Sequence, residues 1–368
     1  MTARVPFVDL AAEHAALPGP IEDAIRRVLE SSRFILGPEV EQFEEDAARF
    51  LELPHAIGVS SASDALVMCL KAVGVEPGDE VLTTPFSFFA STEAILRVGA
   101  RPRFVDVSLD SLCLDPERAA SEISGRTRAI LPVHLFGSMD GIERLADLSE
   151  RHGIPLIEDA AQAFGSRRAG RAAGAWGDAG CFSFFPTKVL GALGDGGLVV
   201  TRDAAIAQRC RALRQHGRAG GAHAEVGGNF RLDAIQAAVL GVKLTGLQDR
   251  IARRREHGRA YDHAFARLPG LSLVKRGADW NGAVYTVRVL DGRRDLVKGR
   301  LAAEGVETYV YYPRPLHLEP ALAHLGMQAG TLPCGERAAT EALSLPVFPT
   351  MSEAQRDVVI DAMRTALN

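Results

Sequence analysis

The sequence predicts an α/β fold: a mostly parallel seven-stranded sheet flanked by helices, followed by a smaller C-terminal α+β domain. From about residue 56, short β-rich runs alternate with helical patterns. Those runs are apolar nearly throughout, as strands covered on both faces require. After residue 240 the texture changes to a long basic helical pattern and a few separate strands and helices. At 368 residues the chain exceeds the size at which one core stops growing, so two domains are expected, 1–245 and 246–368.

The elements follow in order. "IEDAIRRVLESS" reads as a helix packed at the domain boundary. "AIGVSS" then precedes the helical "SDALVMCLKAVGV", and "EVLTTPF" precedes "ASTEAILRVGA". "RPRFVDV" follows, then "RAILPVHLF" with the helix "GIERLADLSERHG", and then "PLIEDAA", "GCFSFF" and "GGLVVT". Seven strands are thus complete by residue 201, with "EPGDE" and "HGIP" as turns between them. "VKLTGLQDRIARRREHGRAYDHAFARL" reads as one long helix connecting the domains. The second domain then carries the strand "GAVYTVRVL", the helix "RDLVKGRLAAEG", the strand "VETYVYY" and the terminal helix "SEAQRDVVIDAMRTAL".

Composition narrows the function. The net charge of −4 gives no ground for nucleic acid or an anionic membrane as the main partner. The arginines of "RIARRREHGR", beside Asp249 and Glu256, read as a solvated helix face rather than a polyanion site. Five widely spaced cysteines without a CxxC pair argue against a disulfide framework or a zinc site and fit a reducing compartment. No signal-peptide core opens the chain, and no apolar run reaches the ~18 residues of a membrane helix. A cytoplasmic enzyme or binding protein is the expectation.

Loops at the carboxyl ends of parallel strands meet at one edge, where ligands bind. Four such ends carry unusual residues. In "SSASDAL" the N–H groups of Ala62, Ser63 and Asp64 at a helix start suit a phosphate, or Ser63 merely caps that helix. "TPFSFFASTEAI" crowds Phe86, Phe88 and Phe89 where a flat ring could stack, or they are core. In "IEDAAQAFG", Glu158 and Asp159 follow a buried strand and point to opposite faces, so they cannot flank one bond; Asp159 wants a cationic partner. In "CFSFFPTKVLGALGDGG", Lys188 sits near Ser183 and a turn whose glycines 191, 194, 196 and 197 permit close approach, or it is a solvent lysine beside that turn. A phosphate cup, a stacking aromatic, a buried acid and a lysine are together the parts that hold pyridoxal 5′-phosphate.

The chain resembles the DegT/DnrJ/EryC1 family of nucleotide-sugar aminotransferases, pyridoxal-phosphate enzymes of fold type I. The resemblance is carried by "FVDL", "FILGPEVEQFE", "GDEVLTTPFSFFAST", "PLIEDAAQAFG", "FSFFPTKVLGALGDGG", "GGNFRLDAIQAAVL" and "YYPRPLHLEPAL". It implies that Lys188 forms the internal aldimine and Asp159 pairs with the pyridine nitrogen. It also implies Gln162 near the phenolic oxygen, Phe88 on the ring, and Ser183, Ala62 and Ser63 at the phosphate. Asn229 would reach the cofactor of a second subunit, making a homodimer, and Arg231, Tyr311, Tyr312 and His317 would face the substrate. The implied reaction moves an amino group from L-glutamate to C3 of a UDP- or dTDP-linked keto-sugar, with ping-pong kinetics. Action at C4, a sugar dehydratase and a non-catalytic binding protein are the alternatives. Two departures stand out: Ala62 and Ser63 replace the usual Gly-Thr, and Val189 follows the lysine. Dehydratase relatives carry histidine at the lysine position, so Lys188 favours transamination.

Overall fold

The computed structural model describes residues 4–368. Seven strands lie side by side in the order Arg101–Phe104, Glu80–Thr83, Thr127–Leu131, Ile157–Asp159, Ala179–Ser183, Gly197–Thr201 and His55–Val59. Parallel bridges Ile130–Leu156 and Val133–Asp159 join the two halves of this sheet. Gly197–Thr201 alone runs antiparallel to its neighbours. Its first residue, Gly197, therefore lies at the edge where the parallel strands end. The seven expected strands are all present. One apolar cluster on the sheet includes Phe43, Phe164, Phe182 and Phe184, and another includes Ile57, Leu66, Met68 and Val199.

A second sheet is antiparallel and pairs Leu271–Leu273, Tyr285–Val289 and Ala342–Leu345. Its core takes Tyr261, Phe265 and Phe348 from flanking segments, together with Val5, which bridges to Val306. Contacts that fix it against the first sheet include these. Asp106 is buried, accepts from the N–H groups of Cys334 (2.9 Å) and Gly335 (2.7 Å), and so caps the helix Pro333–Glu341. Trp280 donates through Nε1 to the Phe136 carbonyl at 2.6 Å. Among the described residues no helix is long and apolar enough to cross a membrane.

Three expectations need correction, and one helix goes beyond them. The long helix is two, Ala234–Leu244 and Leu247–Phe265, because Gly246 adopts φ 75° between them. "RIARRREHGR" is not a simple solvated face: Arg254 is buried, donating to the Val347 carbonyl at 2.8 Å and pairing with Glu13 at 3.2 Å, and Arg255 donates to the carbonyls of Asp279 and Trp280. These side chains tie the helix to loops distant in sequence. "VETYVYY" makes only bridges, at Val306 and Tyr309. Pro313 and Pro315, just beyond, have no N–H to extend a ladder. The helix Pro38–Leu51 was not expected, although Pro38 in its first turn and Val40, Phe43, Ala47 and Leu51 on its buried face follow ordinary helix rules.

Candidate active site

Strand Ile157–Asp159 sends its two carboxylates to opposite faces. Glu158 is fully buried and saturated: His134 Nε2 lies 2.7 Å away, and the N–H groups of Gly174, Trp176 and Gly177 donate at 2.6–2.8 Å. It is structural. Asp159, also buried, faces the edge with fewer partners. Ser91 Oγ donates to Oδ2 at 2.6 Å and the Ala161 N–H donates to Oδ1 at 3.2 Å. Burial pushes its carboxyl above the ordinary carboxylate range, while Ser91, Ala161 and the Lys188 charge pull it back.

Lys188 lies in the loop after strand Ala179–Ser183, its N–H closing a turn onto the Phe185 carbonyl at 2.8 Å. The loop folds back on itself: the Ala192 N–H meets the Phe184 carbonyl at 2.7 Å, and a Cβ on Gly191 would overlap the Pro186 oxygen. The glycines serve close approach rather than left-handed backbone; none of the four has a positive φ. Burial pulls the Lys188 amine from 10.5 down to about 8, and the opposing attraction of Asp159 is smaller. Only an unprotonated amine attacks a carbonyl. A pKa near 8 leaves roughly a tenth of the amine neutral at pH 7, against roughly 0.03% for an ordinary lysine. The rate at which apoprotein captures pyridoxal phosphate, followed by its visible absorbance, should therefore climb about tenfold per unit below pH 7 and level off above about 8. A climb continuing past pH 10 would show that burial does not tune this amine.

The phosphate cup lies at the start of helix Ala62–Ala72. Ser61, not Ser63, is the cap, its Oγ accepting from the Asp64 N–H at 3.1 Å. The expected donor Asp64 is thereby used, which leaves the N–H groups of Ala62 and Ser63 at the helix's positive end. Gly197 pairs with Val59 on one side and Ser183 on the other, bringing Ser183 to the same point. A Cβ there would overlap the Ser61 carbonyl carbon and stand 2.7 Å from the Ala62 nitrogen. Gly197→Ala must displace the cup. We expect about a tenfold or greater loss of affinity for pyridoxal phosphate, with about 1–3 kcal/mol of lost stability from overpacking. Equilibrium titration of the apoprotein and thermal unfolding check both.

Gln162 is oriented by its surroundings. Its Oε1 accepts from the Phe136 N–H at 2.7 Å, so its amide nitrogen faces Tyr312 Oη, 3.1 Å away. Phe88 is exposed, its ring centroid 6.1 Å from that of Tyr312, whereas Phe86 is core and Phe89 partly buried. Tyr311 lies beside Tyr312 at 5.6 Å and stacks on Tyr309 at 5.7 Å. The backbone of Arg231 bridges to Val59 at the cup, and its Nε is buried with no partner among the described residues. Asn229 is exposed, its backbone bridging to Gln215. His317 stands apart: it is buried near Phe104, with Nε2 3.1 Å from Glu336.

The edge thus offers two free N–H groups at a helix start, an unattached amine, an acid with room for another donor, and an exposed ring. Those residues fit pyridoxal phosphate: the cup for its phosphate, Phe88 for its face, Asp159 for its ring nitrogen and Lys188 for its aldehyde. Sequence reading missed Ser91, which bonds Asp159, and Asn281, whose Nδ2 donates to the carbonyls of Gln162 (2.9 Å) and Phe164 (3.1 Å). Asn281 carried no sequence signal, because its partners are more than a hundred residues away. Ser91 carried a weak one, a small hydroxyl on the helix that leaves the aromatic loop.

Solved structures place this architecture among fold type I pyridoxal-phosphate-dependent aminotransferases. The chain is 43% identical to Streptomyces venezuelae DesV, solved with a ketimine intermediate, at a TM-score of 0.96 over 100% of this chain and 99% of that one. Residues 19–364 match the model of the DegT/DnrJ/EryC1/StrS aminotransferase family, and the chain belongs to that family. Its cofactor is pyridoxal 5′-phosphate. NtdA of Bacillus subtilis, solved with the aminated form PMP, superposes at a TM-score of 0.92 with 28% identity, over 100% of this chain and 86% of that one. The dTDP-3-amino-3,4,6-trideoxy-α-D-glucose transaminase of Streptomyces venezuelae is 43% identical over 99% of this chain and 96% of its own. The UDP-N-acetyl-3-dehydro-α-D-glucosamine 3-aminotransferase of Acidithiobacillus ferrooxidans is 39% identical over 99% and 98%. A Geobacillus stearothermophilus protein described as a pleiotropic regulatory protein is 42% identical over 97% of each chain.

Proposed function

We propose that this enzyme transfers an amino group from L-glutamate to the C3 keto group of a UDP- or dTDP-linked sugar. The observation that carries the transamination is the unattached, burial-tuned amine of Lys188 at the strand edge that also holds Asp159. The names of the Streptomyces and Acidithiobacillus relatives, both of 3-amino sugars on a nucleotide, support the substrate class and the carbon. When bound, pyridoxal phosphate supplies an electron sink and carries the amino group between donor and acceptor, which makes the kinetics ping-pong.

Each residue then has a task. Ala62, Ser63 and Ser183 anchor the phosphate, and Phe88 covers the ring. Asp159 keeps a proton on the ring nitrogen. Gln162, fixed by Phe136, has a second amide hydrogen to offer the phenolic oxygen. Lys188, as a free amine, would take a proton from the substrate carbon and carry it as an ammonium until it is given back. Burial keeps Tyr312 a neutral phenol. Because Gln162 donates to its oxygen, its own hydroxyl hydrogen is available to the substrate. With it, Tyr311 and Arg231, whose Nε has no partner among the described residues, form the substrate side, Arg231 meeting a phosphate or sugar anion; His317, buried against Phe104 and Glu336, is left out of it. The homodimer belongs to this reading. Leu29, Phe34 and Ile35 are exposed apolar residues close in sequence, Ile35 bridges Asp233, and exposed Asn229 would reach a second copy's cup.

The test is a panel of UDP- and dTDP-linked 3-keto and 4-keto sugars supplied with glutamate, with release of 2-oxoglutarate as readout. Turnover is expected with 3-keto sugars. Turnover confined to 4-keto sugars would displace the amination site to C4, and sugar conversion without 2-oxoglutarate would indicate dehydration.

A further inference from the structure

Ser91 lies on the first turn of helix Ala90–Arg97 and is only 1% exposed. Its Oγ donates to Asp159 Oδ2 at 2.6 Å, within the range of a charge-assisted hydrogen bond. Ser87 Oγ, also buried, lies 3.5 Å behind it. The opposite carboxylate oxygen takes the Ala161 N–H at 3.2 Å. One donor on each oxygen fixes the plane of the carboxylate while leaving lone pairs for a further donor. We propose that Ser91 is a positioning residue: it holds the Asp159 carboxylate ionised and aimed at the strand edge.

The surroundings leave this task to the serine. Among the described charged and titratable groups that act on Asp159, Lys188 is the amine reserved for the carbonyl, and His134 is bonded to Glu158 on the other face. Burial keeps the Tyr312 phenol and the Cys181 thiol, the other two neighbours, neutral. Burial itself favours the protonated acid. A carboxyl that protonates cannot hold a proton on a ring nitrogen, so a fixed donor is needed that stays in place when Lys188 is occupied. A hydroxyl does this without adding a second cation to compete for the acid. The helix Ala90–Arg97 begins directly after the loop that carries Phe88. The same turn therefore links the residue that covers the ring face with the one that sets the acid at its nitrogen.

This inference rests on the reading of Asp159 as partner of the ring nitrogen, and the experiment separates the two. The probe is 4′-deoxypyridoxine 5′-phosphate, which has the ring and phosphate but no aldehyde, so Lys188 cannot capture it. Its dissociation constant is measured on the full-length apoprotein at pH 7 for wild type, Ser91→Ala, Asp159→Asn and the double variant. Ser91→Ala is expected to weaken binding about tenfold, the loss typical of a hydrogen bond to a charged group. In the Asp159→Asn background the same change should alter binding less than about twofold, because the charge it serves is gone. Wild-type affinity in Ser91→Ala overturns the proposal, and so does a tenfold loss that persists in the double variant, which would mark a purely structural effect. If Asp159→Asn alone binds as tightly as wild type, the assignment of Asp159 falls and this inference with it.

Discussion

Lys188→Ala loses turnover by roughly ten-thousand-fold or more, since one substitution removes both the nucleophile and the general acid–base. Among the described residues at the strand edge, the amine has the chemistry for both tasks. Burial lowers it to about 8 and Asp159 alone among charged groups offsets that burial. Truncation leaves the cup, Phe88 and Asp159 in place, so pyridoxal phosphate should still bind, more weakly and without the visible absorbance of a lysine adduct. Added methylamine should restore a small part of the rate, because an external amine can replace the missing proton carrier but not its orientation. Stopped assays for 2-oxoglutarate and absorbance spectra of the same samples make the comparison. Undiminished turnover in this variant would sink the assignment.

Asp159→Asn is expected to lower turnover about 100-fold, comparable to a loss of two pKa units of support for a protonated ring nitrogen. The fold should survive it. Asparagine keeps an oxygen for the Ala161 N–H, its amide can donate back to Ser91 Oγ, and a buried charge is removed. Apoprotein melting temperature should therefore stay within a few degrees of wild type while the rate collapses. Matched melting and rate measurements read this split; parallel losses in both would make Asp159 a structural acid like Glu158.

Much of the architecture was legible because it rests on local rules. Apolar runs at "AIGVSS" and "PLIEDAA" are strands whatever surrounds them, and Lys188, Asp159 and the cup sit at strand ends where a parallel sheet collects its loops. Misreadings came where a distant partner decided the outcome. Arg254 has the pattern of a solvated residue, yet Val347 and Glu13 bury it, whereas Ser63 lost the cap to a local competitor, Ser61, which takes Asp64. Glu158 and Asp159 are adjacent and chemically alike, yet His134 and three backbone N–H groups saturate one while Ser91 and the Ala161 N–H leave the other room for a further donor.

By itself, then, the sequence determined the seven strands of the main sheet and marked the unusual residues at their ends, since backbone preferences and residue chemistry are properties of short segments. Only the tertiary structure decided how far burial shifted the lysine, that Ser91 and Asn281 hold the arrangement together, and that Gln162 turns its amide nitrogen to Tyr312. Those outcomes depend on desolvation and on hydrogen-bond partners 68 to 150 residues apart, which no local pattern encodes.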